Sequence, residues 1–274
     1  MTFGARSVTV RFRDVVALDD VTVEVPAGSV VAVVGGDGAG KSTLLRALVG
    51  RVPIASGALR APGKERIGYL TAGSGSWSAL TVTQNIDFTG GIYGLKRDAL
   101  AARRRELLER AHLTDAADRP ASQLSGGMRR KLGFSMAMIH EPALLVLDEP
   151  STGVDPVSRV ELWRLVSEAA AAGTAVIMST TYLDEAERAA HLVVLDGGRV
   201  LVQGSYEEVR ATFEGSITLV ERPVRPEWSW RRGRDRHEYW PKGEPPPGTT
   251  VVRPDLEDIV IGLSLRRRFA GPAS

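Results

Sequence analysis

One stretch constrains this chain more than any other: Gly35-Gly36-Asp37-Gly38-Ala39-Gly40-Lys41-Ser42-Thr43. It follows Ser29-Val30-Val31-Ala32-Val33-Val34, an apolar run that reads as a buried strand. It precedes Leu44-Leu45-Arg46-Ala47-Leu48-Val49, which reads as the start of a helix. Strand, glycine loop, Gly-Lys-Ser and helix, in that order, is the arrangement a phosphate-binding loop needs. Glycines let the backbone curl so that its N–H groups face phosphate oxygens, and the helix N-terminus adds partial positive charge. On that reading Lys41 reaches the β- and γ-phosphates and the Ser42 hydroxyl holds Mg²⁺. The plainer alternative is a glycine-rich turn with a surface lysine, and the rest of the chain has to decide between them.

The 274 residues accommodate one large α/β domain with an appendage, or two small domains. A net charge of only +2 argues against a surface that captures nucleic acid as a whole. The absence of cysteine excludes disulfides, thiolate zinc sites and cysteine nucleophiles, and fits a reducing compartment. Met1-Thr2-Phe3-Gly4-Ala5-Arg6 lacks the apolar core of a signal peptide. No apolar run approaches the ~20 residues a membrane-crossing helix needs, so membrane association is expected to come through a partner.

In chain order, residues 6–34 alternate apolar and polar around the turn Pro26-Ala27-Gly28 and predict two or three strands. Phe12 is the one aromatic there, either a half-buried strand residue or a ring that stacks on a nucleotide base. Arg66 to Leu70 reads as a strand, Thr71 to Ser78 as a small-residue loop, and Thr83–Gly94 and Asp98–His112 as helices. Within the second helix, Arg103-Arg104-Arg105 reads as a solvated face. Leu124-Ser125-Gly126-Gly127-Met128 opens another helix, as a second anion site or as an ordinary serine cap. Ala143-Leu144-Leu145-Val146-Leu147 predicts a central parallel strand buried on both faces, ending in Asp148-Glu149-Pro150. Acids at that edge suit a Mg²⁺ ligand (Asp148) and a base for an attacking water (Glu149), or else a solvated turn. After the turn Gly153-Val154-Asp155-Pro156 come a helix to Ala172, a strand at Thr174–Ser179, a helix at Leu183–Ala190, and a hairpin turning at Asp196-Gly197-Gly198. Strands and helices in alternation imply a mostly parallel sheet covered on both faces.

The glycine loop at Gly35–Thr43, the signature at Leu124–Met128 and the acidic strand at Leu144–Glu149, in that order, resemble the nucleotide-binding subunit of ABC transporters over roughly residues 6–214. The resemblance implies a P-loop NTPase core of ABC type. That core is a RecA-like mixed sheet with an antiparallel β subdomain and a helical signature subdomain at about 73–140. It would span residues 1–214, with a small accessory region of short β elements and a final helix at 215–274. It also implies the site. Gly35, Gly36, Asp37, Gly38, Ala39, Gly40, Lys41, Ser42 and Thr43 would hold ATP, Ser42 and Asp148 the Mg²⁺, and Glu149 would be the catalytic base. Phe12 falls where the family places its adenine-stacking ring, ahead of Ala17-Leu18-Asp19-Asp20-Val21. In a head-to-tail dimer, Ser125, Gly126, Gly127 and Met128 would complete the site of the opposing chain, and Asp155 would contact it. Met128, where many members carry glutamine, and Pro254-Asp255-Leu256-Glu257-Asp258-Ile259-Val260 look like the ABC-2 type exporter group. The implied partners are membrane-spanning permease subunits and a second ATP-binding subunit, at the cytoplasmic face of the membrane and without nucleic acid.

Two positions depart from the family. The loop after the Ile67–Leu70 strand normally presents a glutamine, and by spacing that position is Ala72; Gln84 is too far along. After the Ala175–Ser179 strand the family presents a histidine that contacts the γ-phosphate, and that position is Thr181. Alanine cannot orient water and threonine cannot supply a cation. The expectation is a chain whose own site binds MgATP but hydrolyses it slowly, paired with a different, competent chain. A non-transport ATPase of the family and a regulatory ATP-binding module are the alternatives.

From Glu214 the composition shifts. Arg222 to Lys242 carries seven Arg/Lys, interleaved with Trp228, Trp230, Tyr239 and Trp240. This reads either as a surface for headgroups or nucleic acid or as a small β element with solvated arginines. Pro245-Pro246-Pro247-Gly248 reads as an extended linker and residues 255–268 as a helix.

Overall fold

Alternating apolar and polar residues make β1 (Thr2–Phe12) and β2 (Val15–Pro26) an antiparallel pair. Val8, Val10, Val21, Val23 and Val25 turn inward, none more than 1% exposed. β3 (Val30–Val34) is buried at all five residues, as its unbroken apolar run requires. The glycine loop and α1 (Lys41–Leu48) follow, and β4 (Ser56–Arg60) returns to the edge of β1, giving a three-stranded sheet β2-β1-β4. The computed structural model describes residues 1–270 and divides into two units, Met1–Val200 and the chain from Leu201 onward.

β5 (Ile67–Leu70) leads into three helices, α2 (Val82–Ile92), α3 (Arg97–Arg110) and α4 (Gly126–Met138). α2 starts on a reciprocal cap. The Thr81 hydroxyl accepts the Gln84 backbone N–H at 3.1 Å, and the Gln84 side-chain Oε1 accepts the Thr81 N–H at 2.9 Å. The arginine run on α3 is not the solvated face that its sequence suggests. Arg103 donates to the Met138 carbonyl (3.2 Å) and Arg104 to Asp87 (2.6 Å), tying α3 to α4 and α2, and only Arg105 is exposed. The reason is tertiary: those partners come from other segments and leave no mark in the local pattern.

β6 (Leu144–Asp148), α5 (Pro156–Ala171), β7 (Ala175–Ser179), α6 (Leu183–Ala186), β8 (His191–Asp196) and β9 (Arg199–Gly204) complete the main sheet, ordered β5-β6-β7-β3-β8-β9. The first five strands are parallel, and β8 and β9 form the hairpin. The helix expected over Leu183–Ala190 is cut to a single turn. Arg188 and Ala189 N–H groups bond only three residues back, and the Ala190 N–H is already taken by the Val30 carbonyl at 3.0 Å. The chain leaves the helix there to join β3.

The second unit holds α7 (Tyr206–Ala211), β10 (Ser216–Leu219), β11 (Ser229–Arg232), β12 (Asp235–Trp240), β13 (Thr250–Val252) and α8 (Leu256–Ala270). Its antiparallel sheet runs β11-β12-β10-β13, and the Pro245–Gly248 stretch connects β12 to β13. Arg225 and Arg232 of the basic stretch are engaged inside this unit, while Arg222, Arg231, Arg234 and Lys242 are exposed. The Arg225 guanidinium lies over the Trp240 ring at 3.7 Å, and fully buried Glu238 accepts the Val224 and Arg225 N–H groups at 3.1 and 2.7 Å. Arg232 pairs with Asp255 and Glu257 at the start of α8. Among the described residues no helix is long and apolar enough to cross a membrane.

Candidate functional site

β3 ends at Val34 between β7 and β8, so the glycine loop rises from the centre of the sheet at the carboxyl ends of its strands. Open α/β sheets bind ligands at this edge. Lys41 is the first residue of α1 and is 5% exposed. Its Nζ donates to the Gly35 carbonyl (2.8 Å) and the Gly36 carbonyl (3.1 Å), which keeps the charge inside the curl of the loop. The first N–H groups of α1 lack intrahelical partners, as at any helix start.

The parallel register of β6 and β7 sets Asp148 beside Ser179. Asp148 is fully buried, and its Oδ1 accepts from the Ser42 hydroxyl at 2.8 Å and the Ser179 hydroxyl at 2.9 Å. Hydrogen bonds to a carboxylate contribute roughly 1.5–3 kcal/mol each, against an effective cost of several kcal/mol for burying the charge. Two such bonds go far to offset that cost but leave Oδ2 buried without a partner. A buried, unsatisfied carboxylate oxygen next to a serine hydroxyl is a donor set that fits a hard divalent cation. Ser42 and Asp148 therefore suit Mg²⁺.

Glu149 follows in the left-handed region, φ 49°, an unusual conformation for a residue with a Cβ. Its N–H donates to the Ser179 hydroxyl at 2.9 Å, and its Oε2 accepts from the Thr152 hydroxyl at 3.2 Å. Ser179 thus serves both acids at once. The sequence offered only one clue to it, a hydroxyl ending an apolar strand. Arg130 on α4 reaches the same place, donating to the Thr71 carbonyl (3.2 Å), the Gly73 carbonyl (2.9 Å) and the Thr152 carbonyl (3.4 Å). Burial lowers the pKa of its guanidinium, and the charges of Glu149 and Asp148 oppose that. Between the first two of these carbonyls lies Ala72, exposed. Gln84 is engaged in the α2 cap.

Thr181 is exposed in the connection after β7. That connection is pinned on both sides. The Thr180 hydroxyl donates to buried Glu185 at 2.9 Å, as does the Ser151 hydroxyl at 2.6 Å, and the Arg159 guanidinium donates to Glu185 and covers the Tyr182 ring at 3.8 Å. Phe12 ends β1 with 48% of its surface exposed, open to a flat partner.

Ser125 caps α4, its hydroxyl accepting the Met128 N–H at 3.2 Å. Asp155 caps α5 in the same way, accepting the Ser158 N–H at 3.0 Å, a bond that holds its carboxyl below the usual range. The two helix starts are close: a Cβ on Gly127 would lie 2.3 Å from the Ser158 hydroxyl. So the chain assembles two groups. One is the glycine loop with Lys41, Ser42, Asp148 and Glu149; the other is Ser125, Gly126 and Gly127 beside Asp155.

A family model described as "ABC transporter" matches residues 18–152. The chain is 37% identical over 207 residues to the probable multidrug ABC transporter ATP-binding protein YbhF of Escherichia coli (strain K12), covering 72% of this chain but only 36% of that protein. It is 37% identical over 216 residues to the daunorubicin resistance ATP-binding protein DrrA3 of Streptomyces coeruleorubidus, covering 75% of this chain and 68% of that one. A solved ATP-binding subunit of an ABC transporter superposes with a TM-score of 0.72 at 27% identity, over 78% of this chain and 93% of that chain.

Proposed function

We propose, from the premise that the chain belongs to the ABC transporter family of ATP-binding proteins, that it binds MgATP in its own glycine loop as the ATP-binding subunit of an exporter. The observation that carries this reading is the junction of Lys41, Ser42, Asp148 and Glu149 at one sheet edge. Lys41 and the free N–H groups at the start of α1 hold the β- and γ-phosphates. Ser42 and Asp148 hold Mg²⁺, which when bound neutralises charge on the phosphate chain. Glu149 takes a proton from the water that attacks the γ-phosphorus, as the bond to the bridging oxygen breaks. Phe12 stacks on the adenine.

Ala72 and Thr181 leave that site short of one water-orienting group and one cation. The loss of a placed polar group of this kind costs ~10²–10³ in rate. The second cluster, Ser125 to Met128 with Asp155, completes the site of a different ATP-binding chain in a head-to-tail pair. The partner chain supplies the glutamine and histidine missing here. Trp77 and Phe88, 43% and 49% exposed with their rings edge to face at 4.6 Å, offer an apolar seat for a permease subunit on the cytoplasmic face of the membrane. The export of drug-like molecules is supported by the names of the relatives, multidrug for YbhF and daunorubicin resistance for DrrA3. A regulatory ATP-binding module without useful turnover is the second reading, favoured by Ala72 and Thr181 and opposed by Glu149.

The test is equilibrium binding of a fluorescent ATP analogue with and without Mg²⁺. Lys41→Ala is expected to weaken binding at least tenfold, and Asp148→Asn to remove most of its Mg²⁺ dependence. Binding that neither substitution changes would overturn the reading.

A further inference from the structure

Arg130 is the one cation of α4 that reaches the loop around Ala72 and the turn behind Glu149 together. Its Nη1 lies 3.2 Å from the Thr71 carbonyl and 2.9 Å from the Gly73 carbonyl, and its Nη2 lies 3.4 Å from the Thr152 carbonyl. Thr152 in turn gives its hydroxyl to Glu149. Three carbonyls from two segments therefore share one guanidinium, whose planar fork suits several fixed acceptors better than an ammonium does. Gly133, one turn further along α4, keeps the helix close to the same loop: a Cβ there would sit 2.4 Å from the Ser74 carbonyl. Any displacement of α4 therefore moves the loop and the turn together. The side chain at 72 can play no part in this, since alanine has no polar atom.

We propose that Arg130 is a positioning residue of this ATP site, holding the Thr71–Gly73 loop and the Thr152 turn in register so that Glu149 faces the attacking water, a task that Ala72 cannot perform. The proposal deepens the ATP-binding reading and rests on it. Arg130 does not touch nucleotide. It acts on Glu149 through Thr152, so its removal lowers the rate and leaves ATP affinity in place. A glutamine at position 72 restores part of what its removal takes away.

The experiment compares ATP turnover and ATP affinity in the full chain for wild type, Lys41→Ala, Arg130→Met, Arg130→Lys, Ala72→Gln and the double substitution Arg130→Met/Ala72→Gln, with thermal melting of each. Arg130→Met is expected to lower kcat tenfold or more, with ATP affinity within about threefold of wild type and an unchanged melt. Arg130→Lys, able to reach fewer of the three carbonyls, should recover part of the rate, and the double substitution should exceed Arg130→Met alone. Full turnover in Arg130→Met overturns the proposal, as does a parallel fall of rate, affinity and melting temperature that Arg130→Lys does not relieve. If Lys41→Ala leaves both ATP binding and turnover intact, the underlying reading fails and the proposal with it. If Lys41→Ala abolishes both while Arg130→Met is fully active, only the proposal fails.

Discussion

Ser179 holds two acids with one hydroxyl, donating to Asp148 and accepting from the Glu149 N–H, both at 2.9 Å. Ser179→Ala leaves a part-buried N–H without this partner and takes one of two donors from a buried carboxylate. The expected loss is about 1–3 kcal/mol, read as a shift in the urea midpoint with unchanged slope. His140 makes a second residue-scale prediction. Its ring stacks on Tyr93 at 3.6 Å, its Nε2 bonds the Ile67 carbonyl at 3.1 Å, and its Nδ1 is buried without a partner. Burial lowers its pKa from the ordinary 6.5, and the Ile67 carbonyl only partly opposes that. A pKa lower in the fold than in the unfolded chain means that the stabilisation is complete above about pH 6.5 and is lost as pH falls below it. Urea midpoints at pH 7.5 and 5.5 should therefore separate in wild type and draw together in His140→Phe.

At the scale of elements, the starts of α4 and α5 meet so closely that only glycine fits at 127. Gly127→Ala puts a methyl 2.3 Å from the Ser158 hydroxyl and 2.5 Å from its Cβ. It is expected to cost about 1–3 kcal/mol in thermal or urea unfolding, and Ser158→Gly in the same chain should recover part of it. What could be read from the sequence follows the range of the interactions. β3, β6 and β7 were legible because central parallel strands are apolar throughout, and the glycine loop because its residue types are dictated by backbone geometry. α6 was overestimated because the claim of β3 on the Ala190 N–H is a long-range one. Ser179 and Arg130 left little trace, since a hydroxyl or a guanidinium acquires its task only when β6, β7 and α4 are brought together. For the same reason the basic stretch of β11 and β12 could be read from the sequence either as a docking surface or as a small β element. The acids that pair with Arg232, Asp255 and Glu257, lie at the start of α8, more than twenty residues away in the chain.

At the scale of the whole molecule, one chain in the proposed reading carries the ATP-holding half of a site and the completing half of another, with Ala72 and Thr181 weakening the first only. That account predicts an asymmetric pair of chains. Purified alone, the chain should bind MgATP with slow turnover and should not form a briskly hydrolysing homodimer, which size-exclusion chromatography with added ATP would reveal. The most direct measurement is ATP turnover of the chain assembled with the permease and second ATP-binding chain that the account assigns to it, beside the same complex carrying Glu149→Gln in this chain. The account predicts that the complex turns over and that Glu149→Gln here changes its rate by less than about threefold, because the competent site uses the other chain's base. Abolition of turnover by that single substitution would contradict it, since this chain's own site would then be the working one despite Ala72 and Thr181.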